Sequence, residues 1–161
     1  MKLIMMMGVP GSGKSTFANR WQDINTVVVS RDAIRFGLLQ EGDEYFAKEG
    51  QVFQEFVRQI ANGLDKEYEV IADATHINAA SRAKLIKAVK NRVPSDELQI
   101  EVIWVNVGLN KALEQNELRK GSKFYIPRQV IRRMFEQMEP VDLEHEDIDR
   151  VMVVSVDDKE Q

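Results

Sequence analysis

Apolar residues recur along the chain in five short runs, and the stretches between them carry helical spacing or polar turns. Each run is short and bounded by polar residues, which is typical of a strand buried on both faces of a sheet. The predicted strands are residues 3–7, 26–30, 70–73, 100–107 and 151–156. Because strands and helices alternate, the pattern predicts an α/β fold with a parallel five-stranded sheet flanked by helices.

Apolar stripes at three- and four-residue spacing occupy several of the segments between the predicted strands. Such stripes indicate helices that pack one face on a sheet. They comprise Phe17, Ala18 and Trp21; Val52, Phe53, Phe56, Val57, Ile60 and Leu64; and Leu85, Ile86 and Val89. We therefore expect these side chains in the core.

The composition favours one domain over residues 1–161, since a chain of this length with 43% hydrophobic content builds a single core. The absence of cysteine excludes disulfides, thiol catalysis and zinc–cysteine sites, and it suits a reducing compartment. The apolar runs are too short for a membrane span, and we expect no leader peptide. These features predict a cytoplasmic protein that needs neither a membrane nor an obligatory protein partner.

Residues 8–15 read Gly-Val-Pro-Gly-Ser-Gly-Lys-Ser and directly follow the first predicted strand. This pattern predicts the phosphate-binding loop of a P-loop NTPase, in which glycines let successive backbone N–H groups turn toward one centre. Lys14 can reach the terminal phosphates of ATP, and the Ser15 hydroxyl is a natural Mg²⁺ ligand. A helix beginning near Lys14 would add the positive end of its dipole. The expected ATP-binding residues here are Gly8, Pro10, Gly11, Ser12, Gly13, Lys14, Ser15 and Thr16.

Two carboxylates follow predicted strands, at the edge where open parallel sheets bind ligands. Asp32 comes after the second strand and can accept the proton of a hydroxyl acceptor during phosphoryl transfer. Its alternative role is a helix N-cap paired with Arg35, and the two roles are compatible. Asp73 ends the third strand, where such folds keep an acid that orients Mg²⁺. Thr75 and His76 are expected to line the acceptor side, without a catalytic role for the histidine.

Charges are segregated in the C-terminal third of the chain. Residues 118–135 contain no acid, and their basic residues are Arg119, Lys120, Lys123, Arg128, Arg132 and Arg133. Gly121 and Pro127 indicate a flexible loop between two helices, so we expect a lid over approximately residues 115–135. Because the net charge is −4, binding of a polyanion would depend on this local basic patch. Residues 139–149 hold six acids, which are expected to be solvated throughout.

Four blocks of the sequence occur in combination. The first is residues 8–16, the second is Arg31-Asp32 followed by Arg35, and the third is residues 73–78. The fourth runs from Asn116 to Arg119 and continues through Gly121 and Pro127 to a predicted helix over residues 130–138. In this combination, nearly the whole chain resembles the kinase domain of bacteriophage-type polynucleotide 5′-hydroxyl kinases. The first block is shared by many ATPases. The second and fourth are more specific, because the family's general base follows an arginine at that strand end and its lid arginine follows an asparagine by three residues.

The resemblance implies a Mg²⁺-dependent kinase that transfers the γ-phosphate of ATP to the 5′-hydroxyl end of DNA or RNA. Lys14 and Ser15 would hold the donor phosphates and magnesium, and Asp32 would activate the hydroxyl. Arg35 would contact the 3′ phosphate beside the acceptor. Arg119 would bind ATP and stabilise the transferring phosphoryl group.

The chain departs from the family at Gln115, where relatives often have a second lid arginine, and Lys120 or Lys123 is expected to compensate. The Asp-x-Asp at residues 147–149 lacks the Gly-Thr that follows in the family's 3′-phosphatase motif, so no phosphatase activity is expected. Two other functions stay open. One is a phosphotransferase for a nucleoside, nucleotide, sugar or antibiotic, and the other is a nucleotide-dependent switch or assembly module that acts through a partner.

Overall fold

Five parallel strands form one sheet in the computed structural model, which describes residues 1–156. They are β1 (Lys2–Met7), β2 (Thr26–Ser30), β3 (Glu69–Asp73), β4 (Gln99–Val107) and β5 (Arg150–Val156). The strand order is β2-β3-β1-β4-β5, so β1 lies at the centre. The predicted α/β fold is confirmed, and the strands begin within one residue of the predicted positions. The last part of the predicted domain, residues 157–161, lies outside the described residues.

Within residues 1–156 the helices are α1 (Lys14–Arg20), α2 (Arg31–Leu38), α3 (Glu49–Asp65), α4 (Ala79–Arg92), α5 (Leu109–Glu117) and α6 (Arg128–Glu136). Ser30 caps α2 by accepting a hydrogen bond from the Ala33 N–H at 3.1 Å. Asn78 caps α4 in the same way through the Ser81 N–H at 2.8 Å. None of these helices is long and apolar enough to cross a membrane.

The sheet is covered on both faces, as its continuous apolar runs predict. Leu3 and Met5 of β1 pack with α3 and α4, whereas Ile4 between them packs with α1 on the opposite face. The predicted stripes of α3 and α4 are buried, with Phe53 only partly so. This packing brings the carboxyl ends of β2, β3 and β1 side by side, and the candidate site lies there.

The segment predicted as a lid, approximately residues 115–135, comprises the end of α5, a loop over residues 118–127 that is called the lid loop below, and most of α6. An apolar cluster joins both helices to Val9, which follows β1. Asn116 is buried near the end of α5 and ties the two ends of the loop together. Its Nδ2 donates to the Ile126 carbonyl at 2.6 Å, and its Oδ1 accepts from the Ile126 N–H at 3.1 Å.

Trp21 does not belong to the core, and its predicted inward position is wrong. The helix α1 ends at Arg20, and Trp21 is 41% exposed. Ala18 is fully buried against the sheet and Phe17 partly so, as predicted. Because α1 has only seven residues, it ends before Trp21, which therefore does not join the inward face of the helix.

The acidic segment 139–149 is not solvated throughout, which corrects the expectation from its composition. Glu146 binds Arg82, an arginine of α4 that is fully buried. The Nε and Nη2 atoms of Arg82 lie 2.7 and 3.1 Å from the two carboxylate oxygens of Glu146. A buried guanidinium requires such a partner, because an unpaired charge away from water is strongly destabilising.

Candidate active site

The phosphate-binding loop leaves the carboxyl end of β1 at the centre of the sheet. Two of its glycines have positive φ values, 86° at Gly11 and 89° at Gly13, which other residues rarely adopt. A Cβ at Gly11 would also come within 2.4 Å of the Ala112 carbonyl oxygen in α5. The Gly8 N–H donates to the Thr75 carbonyl at 3.0 Å and so anchors the loop to the segment after β3.

The N-terminus of α1 forms the donor side of the site. Gly13 occupies its N-cap position without a side-chain cap, and its first turn contains no acid. The first N–H groups of a helix have no partner within it and bind phosphate readily. Lys14 is only 7% exposed and lines the cavity beside this helix end. These features fit the predicted ATP site.

Ser15 and Asp73 form the candidate magnesium site. The Ser15 hydroxyl donates to Asp73 Oδ2 at 2.6 Å, across 58 residues of sequence. Asp73 is buried, and its Oδ1 has no hydrogen-bond partner among the described residues. Oxygen atoms of this kind suit Mg²⁺, and a buried carboxylate oxygen without a partner favours a cation. The residues present therefore fit the predicted metal.

A cavity of about 190 Å³ lies beside the phosphate-binding loop. Lys14 lines it from α1, and Asp32 and Arg35 line it from α2. Thr75 and His76 line it from the segment after β3. The structure thus brings the predicted base together with the three predicted acceptor residues.

Asp32 lies in the first turn of α2 with one carboxylate oxygen held and the other free. Its Oδ1 accepts hydrogen bonds from the Tyr45 hydroxyl at 3.0 Å and from Arg35 Nη1. Its Oδ2 has no partner within residues 1–156, and the side chain is 44% exposed. The expected pairing with Arg35 is present, but the helix cap is Ser30 and not Asp32. One oxygen of Asp32 therefore stays open to a substrate.

Arg35 is almost fully engaged by the chain itself. It is buried, and its Nε and Nη2 atoms lie 2.6 and 3.0 Å from the two carboxylate oxygens of Glu49. Its Nη1 donates to Asp32 and, at 2.9 Å, to the Tyr45 hydroxyl. Burial opposes the charge, but the hydrogen bonds and charge of Glu49 hold the pKa of Arg35 above its ordinary value. One of its five N–H groups is left without a partner in the described chain.

Sequence reasoning missed Tyr45 and Glu49, the two residues that hold Asp32 and Arg35 in place. Tyr45 lies between α2 and α3 in a stretch without regular periodicity, and Glu49 is the first residue of α3. Burial raises the pKa of the Tyr45 hydroxyl, which therefore stays protonated and donates to Asp32. No sequence pattern marks these contacts, because they depend on how α3 and the preceding loop pack against α2.

His76 is buried with one ring nitrogen unsatisfied. Its backbone is in the left-handed region, with φ at 46°. Because Nδ1 donates to the Met6 carbonyl, Nε2 is an acceptor, and it has no partner among the described residues. Burial lowers the pKa of His76 to about 4, aided by the charges of Arg31 and Lys14 and opposed by the bond to Met6. The ring is therefore neutral at physiological pH.

Arg119 lies where α5 passes into the lid loop, and it is not among the residues that line the cavity. Other lid residues do reach the acceptor side. Ile126 lines the cavity, and the Phe124 ring meets the Phe36 ring of α2 edge-on at 5.0 Å. The Lys123 nitrogen lies 5.8 Å from the centre of the Phe36 ring. The role of Arg119 at the transferring phosphate stays a prediction.

A model of the AAA domain family matches residues 3–141. Among solved structures, a chain of the Pnkp1/Rnl/Hen1 RNA repair complex is 25% identical, with a TM-score of 0.68 over 84% of this chain and 43% of that chain. Chaetomium thermophilum Kti12 in complex with ADP-AlF3 is 19% identical, with a TM-score of 0.71 over 98% of this chain and 91% of that chain. A gluconokinase from Sinorhizobium meliloti 1021 is 19% identical, with a TM-score of 0.59 over 96% and 82%.

These similarities establish the fold and do not establish the substrate. The chain spans less than half the length of the chain it matches in the RNA repair complex. The matches to Kti12 and to the gluconokinase, at 19% identity, concern the fold alone. Together they show a P-loop kinase-like fold.

Proposed function

This chain belongs to the AAA domain family, and from its P-loop kinase-like fold we propose that it transfers the γ-phosphate of ATP to the 5′-hydroxyl end of DNA or RNA. The observation that carries the proposal is the free Oδ2 of Asp32 in one cavity with Lys14. A hydroxyl bound in that cavity would meet both a proton acceptor and the donor phosphates. The similarity to a chain of an RNA repair complex supports a polynucleotide acceptor.

The proposed reaction is an in-line displacement. The Asp32 carboxylate accepts the proton of the 5′-hydroxyl as its oxygen bonds to the γ-phosphorus, and the bond to the β–γ bridging oxygen breaks to release ADP. Lys14 and the first N–H groups of α1 stabilise the charge on the transferred group, and Arg119 adds positive charge from the lid. Ser15 and Asp73 would hold magnesium, which would supply positive charge at the donor phosphates.

Positive charge in and around the cavity supports a polyanionic acceptor. Three cations, Lys14, Arg31 and Arg35, line the wall against two acids, Asp32 and Glu49. One N–H group of Arg35 has no partner within residues 1–156 and would donate to the phosphate that follows the terminal nucleotide. Arg128, Arg132 and Arg133 of α6 are exposed and would meet later phosphates. This local charge opposes the net charge of −4 of the whole chain.

A small-molecule phosphotransferase is the second candidate, and the size of the cavity favours it. A volume of about 190 Å³ accommodates a group no larger than a sugar or small nucleoside. A polynucleotide would place only its terminal sugar there, with the remaining nucleotides along the lid, whereas a small molecule would be enclosed entirely. The two functions therefore share the chemistry of Asp32 and differ in what lies outside the cavity.

Transfer of labelled γ-phosphate from ATP, with Mg²⁺, to a panel of acceptors separates these functions. The panel contains a 5′-hydroxyl oligonucleotide, free nucleosides and sugars. We expect label on the oligonucleotide alone, and competition by unlabelled oligonucleotide. Labelled nucleosides or sugars that resist this competition would establish the second candidate. ATP hydrolysis without any labelled acceptor would indicate a nucleotide-dependent switch and would withdraw the roles of Asp32 and Arg35.

A further inference from the structure

Two side chains that line the cavity, His76 and Arg31, each have a buried polar atom, Nε2 and Nε, with no hydrogen-bond partner among residues 1–156. The whole His76 side chain is buried, and its Nε2 accepts because Nδ1 donates to the Met6 carbonyl. Arg31 Nε is always a donor, and the same guanidinium is held by Glu49 through Nη2 at 3.1 Å. Leaving a buried polar group unpaired is costly and uncommon. Both atoms are therefore expected to bind a group of the substrate.

Both side chains lie against the same aromatic ring, that of Phe56. The imidazole of His76 stacks on the Phe56 ring with 6.2 Å between centroids, and Arg31 Cζ lies 5.9 Å from the centroid of the same ring. Burial is the main cause of the low pKa of His76, and the positive charge of Arg31 lowers it further, as expected for neighbours. A donor beside an acceptor is complementary to a hydroxyl group, which accepts and donates at once.

We propose that His76 and Arg31 bind a second hydroxyl of the acceptor, one that is not phosphorylated, and that this gives the site a preference for RNA ends. The proposal rests on the proposed function. In a polynucleotide the 3′ oxygen of the terminal sugar is esterified, so the hydroxyl that remains beside the reacting 5′-hydroxyl is the 2′-hydroxyl, which RNA has and DNA lacks. It would donate to His76 Nε2 and accept from the Arg31 Nε–H.

Three oligonucleotides of one sequence test this with the unaltered protein. They carry a hydroxyl, a hydrogen or a methoxy group at the 2′ position of the 5′-terminal nucleotide, and all have a free 5′-hydroxyl. From hydroxyl to hydrogen, kcat/KM for label transfer is expected to fall by roughly 10- to 100-fold, because two buried atoms lose their partner. The methoxy group accepts but cannot donate, so it should react no better than the hydrogen. Equal rates would overturn the preference, and no transfer to any of them would overturn the proposed function itself.

Variants assign the preference to the two side chains. His76→Phe keeps a ring against Phe56 and removes the acceptor, while Arg31→Lys keeps the charge and removes the Nε–H. In each, the ratio of the hydroxyl to the hydrogen substrate should fall to about 1. Ser81→Ala is the matched control and should keep the ratio, because Ser81 lines the same cavity with its hydroxyl already bonded to the Asn78 carbonyl at 3.0 Å.

A ratio that survives in both variants would overturn the assignment to His76 and Arg31. The ratio compares two rates of one preparation, so partial loss of folded protein in a variant does not change it. The result is therefore informative even where the substitution at His76, whose backbone is in the left-handed region, lowers stability.

Discussion

The carboxylate of Asp32 is oriented by two neighbours that both bind the same oxygen. The Tyr45 hydroxyl is neutral, and Arg35 is also bound by Glu49, so neither donor leaves an unpaired charge beside this carboxylate. Because both donate to Oδ1, the lone pairs of Oδ2 are available to a hydroxyl of the acceptor. The proposed chemistry of the site therefore depends on how the Asp32 side chain is oriented.

Asp32→Asn preserves the shape of this side chain and removes the proton acceptor. Label transfer to a 5′-hydroxyl oligonucleotide is expected to fall by roughly 10²- to 10⁴-fold, with the Kd of ATP nearly unchanged. Glu44→Gln is the control, because Glu44 is exposed and lies outside the cavity lining. Equal transfer rates in the Asp32→Asn and unaltered proteins would remove Asp32 from the mechanism.

Tyr45→Phe removes one hydrogen bond to Asp32 and keeps the ring, which packs edge-on against Phe36 and Phe46. We expect kcat to fall by roughly 3- to 30-fold with the KM for ATP unchanged, because a less restrained carboxylate samples unproductive orientations. Steady-state kinetics with each substrate varied separately distinguish the two parameters. An increase in the KM for ATP at constant kcat would place Tyr45 on the donor side instead.

Among the elements, the lid loop depends on the bonds of Asn116 to the Ile126 backbone. Asn116→Ala would leave two buried backbone groups unpaired, at roughly 1 to 3 kcal/mol each. The loop over residues 118–127 should then open more often, so that trypsin cleaves sooner after Arg119 and Lys120. Asn110→Ala, at an exposed position of α5, is the matched control. Equal cleavage of the two variants would mean that the apolar cluster alone holds the loop.

The ion pair of Arg82 with Glu146 joins α4 to the acidic segment and reaches the site. Arg82 Nη1 donates to the His76 carbonyl at 2.9 Å, so the pair also supports the backbone turn at that residue. Its geometry is bidentate and its cation is fully buried, which distinguishes it from the exposed ion pair of Lys90 with Asp147. The two pairs therefore should differ in their effect on stability.

Glu146→Gln leaves a buried cation without its counter-charge. The free energy of unfolding, measured by urea titration at neutral pH, is expected to fall by about 3 kcal/mol. Asp147→Asn is the matched control at the neighbouring position, and its loss should stay below about 1 kcal/mol because that pair is exposed. Similar losses in the two variants would contradict the structural role assigned to Glu146.

The same pair predicts how stability depends on pH. Burial alone would raise the pKa of Glu146, but the hydrogen bonds and charge of Arg82 hold it below its ordinary value. The stabilisation is complete above the pKa of the unfolded chain and is lost as the pH falls through the lower native pKa. The unaltered protein should therefore lose stability more steeply in acid than Glu146→Gln. Parallel curves from urea titrations at a series of acid pH values would contradict this.

For the whole molecule, the sheet and the phosphate-binding loop were predictable from sequence. A strand buried on both faces is recognisable in a sequence as a short apolar run. A glycine-rich loop with fixed residue spacing between a strand and a helix is typical of a phosphate-binding loop and of few other structures. The edge of the sheet where ligands bind follows from strand direction alone. Asp32 and Asp73 could therefore be selected as candidates before any contact was known.

The parts that could not be predicted depend on contacts between distant segments. Glu49 binds Arg35 across the packing of α3 on α2, and Glu146 binds Arg82 from a segment whose composition indicates only solvated acids. The exposure of Trp21 depends on where a short helix ends, which sequence patterns locate only within a few residues. Each of these was decided by tertiary packing and not by local pattern.

The proposed reaction transfers the γ-phosphate of ATP to a 5′-hydroxyl end. The most direct measurement incubates γ-labelled ATP and Mg²⁺ with a 5′-hydroxyl oligonucleotide and, separately, with the same oligonucleotide bearing a 5′-phosphate. We predict label in the first alone, recovered in the 5′-terminal nucleotide after complete digestion. Label in both oligonucleotides, or in neither, would contradict the proposal that this chain is a polynucleotide 5′-hydroxyl kinase.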